Sequence, residues 1–317
     1  MRSRFLLLVM GAALAVAACG ASEEGTLRIY TSVTQDTVDA VLVGFEESHP
    51  GLDVEVFRAP TGELTARIAA ERRDGGLSAD VLWMTDPLSM GQYETDGLLL
   101  AWEPEGLDAV PEEFRTATSW GTRVLTMVAI YGLDVPAPAA WVNLTDPAYA
   151  GGVAIPDPGF AGSALGALGW FALDEGYGFD FYEGLAANGA TQVPSPGEVV
   201  TGVAEGRFLA GMTLEFSARS AIEKGSPIAI ARPDPGAIGI YSPIAVVAGA
   251  DGESAARDFV EHVLTIEVQE AIAATGWRPV REDVAWDRSG GLVFPDWAQV
   301  VDLRNELLDT YLVVFGG

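Results

Sequence analysis

The sequence predicts an α/β fold built from two doubly wound lobes that are joined by crossing strands. In the first third of the chain, segments with strand periodicity alternate with segments with helix periodicity, an order typical of a parallel sheet with helices on both faces. The same alternation starts again after a long β-like run near the middle of the chain. At 317 residues the chain is also longer than one compact core usually is. Together these observations favour two lobes.

The first lobe is expected to contain three parallel strands, two helices and a further short helix after residue 86. Strands are predicted at 27–31, 53–57 and 80–84, and helices at 36–47 and 63–73. Asp36 is the expected N-cap of the first helix. In doubly wound sheets, ligands bind beyond the carboxyl ends of the strands. Those ends are short loops rich in hydroxyl groups, at 31–34, 59–62 and 85–86.

Two long apolar runs, 123–131 and 238–248, are expected to carry the chain into the second lobe and back, and to act as the hinge when the lobes close. Between and after these runs, strands are predicted at 152–156, 210–214 and 227–231, and helices from 163, at 180–187, from 195, at 217–224, at 253–264, at 267–274 and at 297–312. The expected boundaries are 27–123 with 242–280 for lobe 1, 124–241 for lobe 2, and 281–317 for a C-terminal helical segment that packs on the lobes.

The stretch 155–175 predicts a short strand, a glycine-bearing turn and a helix that begins at Gly162 and Ser163. The first N–H groups of a helix have no partner within the helix, and the macrodipole adds partial positive charge, so such a terminus can bind an oxyanion without a lysine. A second candidate of this kind lies at 59–63, and we expect a ligand between the two. The alternative is that Ser163 only caps its helix.

The N-terminus predicts export. Residues 1–18 have a basic start, an apolar run too short to span a membrane, and small residues before a cleavage site. The only cysteine of the chain, Cys19, follows directly, and this arrangement resembles a bacterial lipobox, although Val16 stands where leucine is more usual. The resemblance implies that Cys19 is lipidated and anchors the mature protein outside the cytoplasm through a tether at 19–26. The alternative is an ordinary signal sequence with an incidental cysteine.

Composition and motifs argue against several classes of function. A net charge of −27 should repel nucleic acid and anionic membrane surfaces. Residues 161–165 lack the serine-elbow pattern of hydrolases, and the chain has no phosphate-binding GxxxxGK[ST] loop. The two histidines, His49 and His262, have no partner at metal-ligand spacing and are expected to be structural. We therefore expect neither an enzyme nor a resident metal or cofactor, although paired carboxylates remain possible among 45 acidic residues.

Several motifs in the same order along the chain resemble one family. They are 30–32, 61–68, 79–87, 155–158, 187–190, 203–207 and 276–281. In this order they resemble the extracellular solute-binding proteins of ABC importers, in the type II branch that includes the ferric-ion and phosphonate binders. The resemblance covers nearly all of residues 26–283. It implies two lobes that close on a ligand and deliver it to a permease, and we expect the protein to act as a monomer.

The sequence departs from the iron-binding members of this family. Those proteins carry two adjacent tyrosines after the strand at 210–214, where this chain has Phe216 and Ser217, and the histidine of their first loop falls near Thr34. Ferric ion prefers phenolate and carboxylate oxygens. The preferred solute is therefore a small organophosphorus compound, such as an aminoalkylphosphonate or a sugar phosphate, and ferric iron is the alternative.

The predicted ligand-binding residues combine hydroxyl groups, helix N-termini, two acids and one aromatic. They are Ser32, Thr34, Thr61, Gly62, Thr85, Asp86, Gly162, Ser163, Glu215, Ser217 and Tyr241. The hydroxyl groups and N–H groups suit the oxygens of a phosphate or phosphonate. The two acids could accept from an ammonium or from sugar hydroxyls, or act as a helix cap and a surface acid. Tyr241 and Trp277 could wall the cleft or belong to the core, and Arg219 could pair with the anion or with a surface acid.

Overall fold

The computed structural model describes residues 25–288 and 290–316. The predicted signal sequence at 1–18, the lipid-bearing Cys19 and most of the predicted tether lie outside the described residues. Among the residues described, none of the helices has the length and the apolar character needed to cross a membrane.

Strands and helices alternate along the chain. The strands are β1 (Thr26–Thr31), β2 (Asp53–Arg58), β3 (Val81–Trp83), β4 (Trp120–Gly132), β5 (Val153–Pro156), β6 (Thr191–Val193), β7 (Ala210–Leu214), β8 (Ile228–Ala231), β9 (Ala237–Val246), β10 (Arg278–Pro279) and β11 (Leu292–Val293). The helices are α1 (Gln35–Ser48), α2 (Thr61–Arg73), α3 (Pro87–Thr95), α4 (Gly162–Leu173), α5 (Asp180–Ala187), α6 (Pro196–Ala204), α7 (Glu215–Glu223), α8 (Glu253–Leu264), α9 (Ile266–Ala274), α10 (Trp297–Asp302) and α11 (Arg304–Phe315).

One continuous sheet runs through both lobes in the order β2-β1-β3-β9-β4-β7-β5-β6. Strand β1 pairs in parallel with β2 and β3, and β5 pairs in parallel with β6 and β7. The two long strands β4 and β9 pair antiparallel between these halves and connect them. This topology confirms the predicted α/β fold of two doubly wound lobes joined by crossing strands.

The crossing strands are apolar because helices cover them on both faces. Every residue of β9 is buried, as are most residues of β4, which is the pattern expected of strands without a solvent-facing side. The largest cluster of buried apolar side chains extends through both lobes and includes Trp83, Trp120 and Trp141, all of which are fully buried. The lobes therefore share a core at the hinge.

Helix α4 is buried over most of its length, and small residues let it pack closely. A Cβ on Gly166 would lie 2.9 Å from Cγ1 of Ile240 on β9, and a Cβ on Gly169 would lie 3.2 Å from Cγ2 of Val300 on α10. A helix that is apolar all round is expected to be buried. The close packing fixes the position of its N-terminus at Gly162, which faces the first lobe.

Two helix starts differ from the prediction. The N-cap of α1 is Thr34, with extended backbone angles, and not Asp36, which lies in the first turn, where its charge complements the macrodipole. Helix α2 begins at Thr61, two residues earlier than predicted, after Pro60. Both differences place hydroxyl groups at helix N-termini.

At the other end of the chain, the single helix predicted at 297–312 is two helices, with a break at Leu303.

Candidate functional site

Three loops of the first lobe bring their hydroxyl groups together. The side-chain oxygen of Thr85 lies 3.1 Å from that of Ser32 and 3.0 Å from that of Thr61, and the N–H of Thr85 donates to the Ser32 hydroxyl at 3.0 Å. The three residues follow β1, β2 and β3, so their proximity results from the parallel order of these strands. Three of the predicted binding residues thus form one hydroxyl cluster.

The N-terminus of α4 in the second lobe packs directly on this cluster. A Cβ on Gly162 would lie 2.7 Å from the hydroxyl oxygen of Thr61 and 2.8 Å from that of Thr85, and it would also collide with the carboxylate of Asp86. The N–H of Gly62 donates to the carbonyl of Phe160 at 3.2 Å across the same contact. The two predicted helix N-termini therefore pack directly on each other, whereas a ligand was expected between them, and the lobes are closed here.

Asp86 is fully buried at this contact. Its Oδ1 accepts from the N–H of Ser89 at 2.7 Å, so it is the N-cap of α3. Within the described part of the chain, Oδ2 has no hydrogen-bond partner. Burial raises the pKa of this carboxyl, while the hydrogen bond from Ser89 and the charge of Arg304 act in the opposite direction. Asp86 therefore caps a helix, which is one of the two roles that the sequence allowed for it. Its Oδ2 remains available to accept a hydrogen bond.

A buried arginine lies beside the remaining hydroxyl of the first loop. The Nη1 of Arg123 lies 3.4 Å from the hydroxyl of Thr34 and 3.2 Å from that of Thr37, and its guanidinium carbon lies 4.3 Å from the ring centre of Trp277. Its side chain is fully buried, and neither Nε nor Nη2 finds a hydrogen-bond partner among residues 25–288 and 290–316. Burial, and then the nearby charge of Arg58, lowers the pKa of Arg123 to about 9.

Arg123 is not among the ligand-binding residues predicted from the sequence. The sequence predicts 123–131 as a hinge strand, and this otherwise apolar run begins with Arg123. That single charge in an otherwise apolar strand was the available signal, because arginine is almost never buried without a partner. The position of α1 and of Trp277 around it could not be deduced from spacing, since they come from distant parts of the chain.

A cavity of about 560 Å³ lies between the lobes, next to the crossing strand β4. Its lining includes Glu215 and Phe216 of lobe 2 and Trp277 of lobe 1. The Oε1 of Glu215 accepts from Arg219 at 2.7 Å and from Arg232 at 2.5 Å. Glu215 is the only one of the predicted ligand-binding residues that lines this cavity. Arg219 pairs with an acid, which is the second role that the sequence allowed for it.

Tyr241 lies on a different side of the crossing strands. It is 4% exposed, packs against Phe114 and Trp297 at ring-centre distances of 5.4 and 5.5 Å, and lines a second cavity of about 500 Å³ between α3 and α10. Burial, with smaller effects from Glu94 and Asp86, raises the pKa of its phenol. Tyr241 therefore has the surroundings of a core aromatic. The sequence allowed this role as well as that of a wall of the ligand cleft.

The other predicted residues are separate from the hydroxyl cluster and the cavity. Ser163 is buried in the first turn of α4, whose N-cap is Ala161, so the described structure gives it no capping role. Ser217 is half-buried in the first turn of α7. His262 places its Nε2 3.0 Å from the carbonyl of Val41, which suits a structural residue.

No group of three or more histidine, cysteine or acidic side chains that could hold a metal occurs among the residues that the structure describes.

Comparisons with known proteins agree with this architecture. A family described as bacterial extracellular solute-binding protein matches residues 27–278, while no curated protein matches the sequence. The periplasmic binding protein AfuA from Actinobacillus pleuropneumoniae, with exogenous fructose-6-phosphate bound, is 22% identical, with a TM-score of 0.83 over 92% of this chain and 99% of that chain. Iron-bound HitA from Pseudomonas aeruginosa is also 22% identical, with a TM-score of 0.75 over 89% and 99%. The ferric binding protein from Campylobacter jejuni is 17% identical, with a TM-score of 0.79 over 91% and 99%.

At these identities the solved structures establish the fold and not the solute. The family match, in contrast, extends from β1 to β10 and so includes both lobes and both crossing strands. Members of this family deliver small solutes to ABC permeases and are generally not enzymes. This chain therefore belongs to the bacterial extracellular solute-binding proteins of ABC importers.

Proposed function

We propose that this protein is the substrate-binding lipoprotein of an ABC importer and captures a small organophosphorus anion, such as an aminoalkylphosphonate or a sugar phosphate, between its lobes. The observation that carries the proposal is Arg123. Its guanidinium is fully buried, and two of its nitrogens lack a hydrogen-bond partner in the described structure. An uncompensated buried charge is costly, and a bound anion would remove that cost.

The surroundings of Arg123 favour an anion further. The N-cap hydroxyl of Thr34 and the N-terminus of the 14-residue helix α1 lie beside the guanidinium, and both favour negative charge. The chain has 45 acidic and 18 basic residues, so a basic side chain without an acidic neighbour is unexpected on composition alone. We infer that the acids are kept away from Arg123 because the solute supplies the negative charge.

A second guanidinium favours a phosphate group over a carboxylate. The Nε of Arg58 donates to the carbonyl of Val33 at 2.7 Å, which holds Arg58 on the same loop as Thr34, and its charge contributes to the lowered pKa of Arg123. No ion pair of Arg58 occurs among the described side chains. Two cations suit a group that carries about −1.5 to −2 charges at neutral pH, as a phosphate ester does.

Ferric iron is the alternative solute, since iron-bound HitA and the ferric binding protein of Campylobacter jejuni share the fold. Its support from side chains is weaker. Asp86 caps a helix, Glu215 pairs with two arginines, and Phe216 has no oxygen to offer. A cationic neighbourhood around Arg123 also disfavours a trivalent cation. A secreted hydrolase, the competing class, finds no support in the motifs or in the family match.

A thermal-shift screen of the purified protein tests the proposal. A solute at one hundred times its dissociation constant should stabilise the fold by about 2.7 kcal/mol and raise the melting temperature accordingly. We expect a shift with an aminoalkylphosphonate or a sugar phosphate, and none with ferric citrate or thiamine. A shift with ferric citrate alone would reject the organophosphorus solute in favour of iron.

The proposed lipid anchor predicts the distribution of the protein in cells. If Cys19 is lipidated, we expect the wild type in the membrane fraction and Cys19→Ser in the soluble extracytoplasmic fraction, because the lipid is the proposed attachment of the chain to the membrane. Fractionation followed by immunoblotting measures this, with Ser22→Ala as the control. Equal membrane association of wild type and Cys19→Ser would contradict the anchor.

A further inference from the structure

We propose that the cavity between α3 and α10 is a second binding site, which takes an organic cation with an ammonium group and a flat apolar body. This inference goes beyond the function proposed above. The cavity shares no lining residue with the cavity at Glu215. Its lining also contains no residue of the hydroxyl cluster and no contact of Arg123, so it is separate from the proposed solute site.

The cavity has the size and the apolar walls of a small-molecule site. Its volume of about 500 Å³ lies within the range of roughly 300–1,000 Å³ that is usual for ligand pockets. The rings of Tyr241 and Trp297 meet edge to face, with ring centres 5.5 Å apart and planes at 84°. Pro87, Pro295 and Val301 also line the cavity. These walls suit a flat apolar body.

The hydroxyl of Tyr241 is a polar group that needs a partner in this wall. Tyr241 is only 4% exposed, and none of the described residues forms a hydrogen bond with its hydroxyl. Buried polar groups usually have a hydrogen-bond partner, and this holds for the hydroxyl of a buried tyrosine. A ligand in the cavity would supply that partner, and an ammonium N–H would donate to the tyrosine oxygen.

Glu94 supplies negative charge close to this hydroxyl. Its charge acts on the phenol of Tyr241 more strongly than that of Asp86 does, and both raise the pKa of the phenol after burial. Glu94 lines the cavity, is half-buried, and has no ion pair among the described side chains. It lies in the last turn of α3, where the macrodipole favours a cation over a carboxylate. A bound ammonium would compensate both effects.

The other charges of the lining also favour a cation over an anion. Arg115 is the only basic residue in the lining, and it pairs with Glu112 at 3.4 Å and donates from Nη1 to the carbonyl of Leu107 at 3.1 Å. The chain has 45 acidic residues, so exposed acids near a cavity carry little weight. The half-buried Glu94 beside an unpartnered hydroxyl carries the argument. The acids of the lining are Glu94, Glu112, Glu113, Asp296 and Asp302.

Three compounds of similar size and different charge test the site. They are phenethylamine, which is a cation at pH 7, neutral 2-phenylethanol and anionic 3-phenylpropionate. We expect the full chain to bind the amine about tenfold more tightly than the other two in isothermal titration calorimetry. Sodium chloride at about 0.15 M screens diffuse attraction of the amine to the acidic surface.

Variants locate the bound amine. Ala298→Phe, at an exposed position in the lining, should fill the cavity and abolish binding without a change in melting temperature. Glu94→Gln should weaken binding about 5- to 10-fold, whereas Glu183→Gln, an exposed position on α5, should not change it.

Four results would overturn the site. They are no binding of the amine, equal affinity for the amine and the alcohol, binding that survives in Ala298→Phe, and equal losses in Glu94→Gln and Glu183→Gln. The last two would mean that the amine binds to the acidic surface in general. None of these results affects the proposed organophosphorus solute, because the two sites have no residue in common.

Discussion

Gly162→Ala is expected to weaken solute binding by about 30- to 150-fold, which corresponds to roughly 2–3 kcal/mol of overpacking. The added Cβ would lie 2.7 Å from the Thr61 hydroxyl and 2.8 Å from the Thr85 hydroxyl, and would collide with Asp86. These three residues belong to the first lobe and Gly162 to the second, so the collision disappears when the lobes separate. The variant should therefore remain folded and fail to close.

Small-angle X-ray scattering and calorimetry together measure this effect. In the wild type, saturating solute should favour the compact form, and in Gly162→Ala the radius of gyration should stay larger at the same solute concentration. Gly76→Ala is a matched control because a Cβ there meets nothing within 4 Å and the backbone does not take a positive φ. If Gly162→Ala bound the solute as tightly as Gly76→Ala, closure at this contact would not be part of binding.

The proximity of Thr61 and Thr85 could be predicted from the sequence, because it depends only on strand order. Their direct contact with Gly162 could not, since the sequence indicated a ligand between the two helix N-termini. Parallel strands end at one edge of a sheet, so the loops after β1, β2 and β3 had to lie together, and a second lobe of the same type had to present its own loops to them. Helix boundaries were less certain. Thr34 and Asp36 are both good N-caps, and the sequence alone does not decide between them.

Arg123 and Glu215 show what the sequence did not reveal. The role of each depends on side chains that are far away in the chain: Thr34, Thr37 and Trp277 surround Arg123, and Arg232, directly after β8, reaches Glu215. Nothing in local periodicity reports such neighbours. The sequence therefore indicated the acid and not the buried base on which the proposed anion site depends.

Arg123→Met is the second change for which we expect a large effect, and it should move stability and binding in opposite directions. The folded-state pKa of Arg123, about 9, lies below its ordinary value, so the charge that Arg123 still carries at neutral pH destabilises the unliganded fold relative to the unfolded chain. An apolar side chain of similar length should leave the unliganded protein as stable or about 1–4 kcal/mol more stable. Chemical denaturation without solute measures this.

Solute affinity should fall in the same variant. Removing one member of a buried charge pair typically costs about 2–5 kcal/mol, which is roughly 30- to several-thousand-fold in the dissociation constant. Calorimetry with the solute identified in the thermal-shift screen measures the loss, and Arg207→Met, which removes an exposed arginine that pairs with Glu205 away from the cavity, controls for the overall change in charge. A buried arginine that served only the fold would give the reverse pattern: lower stability in Arg123→Met, through the lost contact with Trp277, and unchanged affinity. A stabilised protein that no longer binds its solute is the result that only an anion site at Arg123 explains.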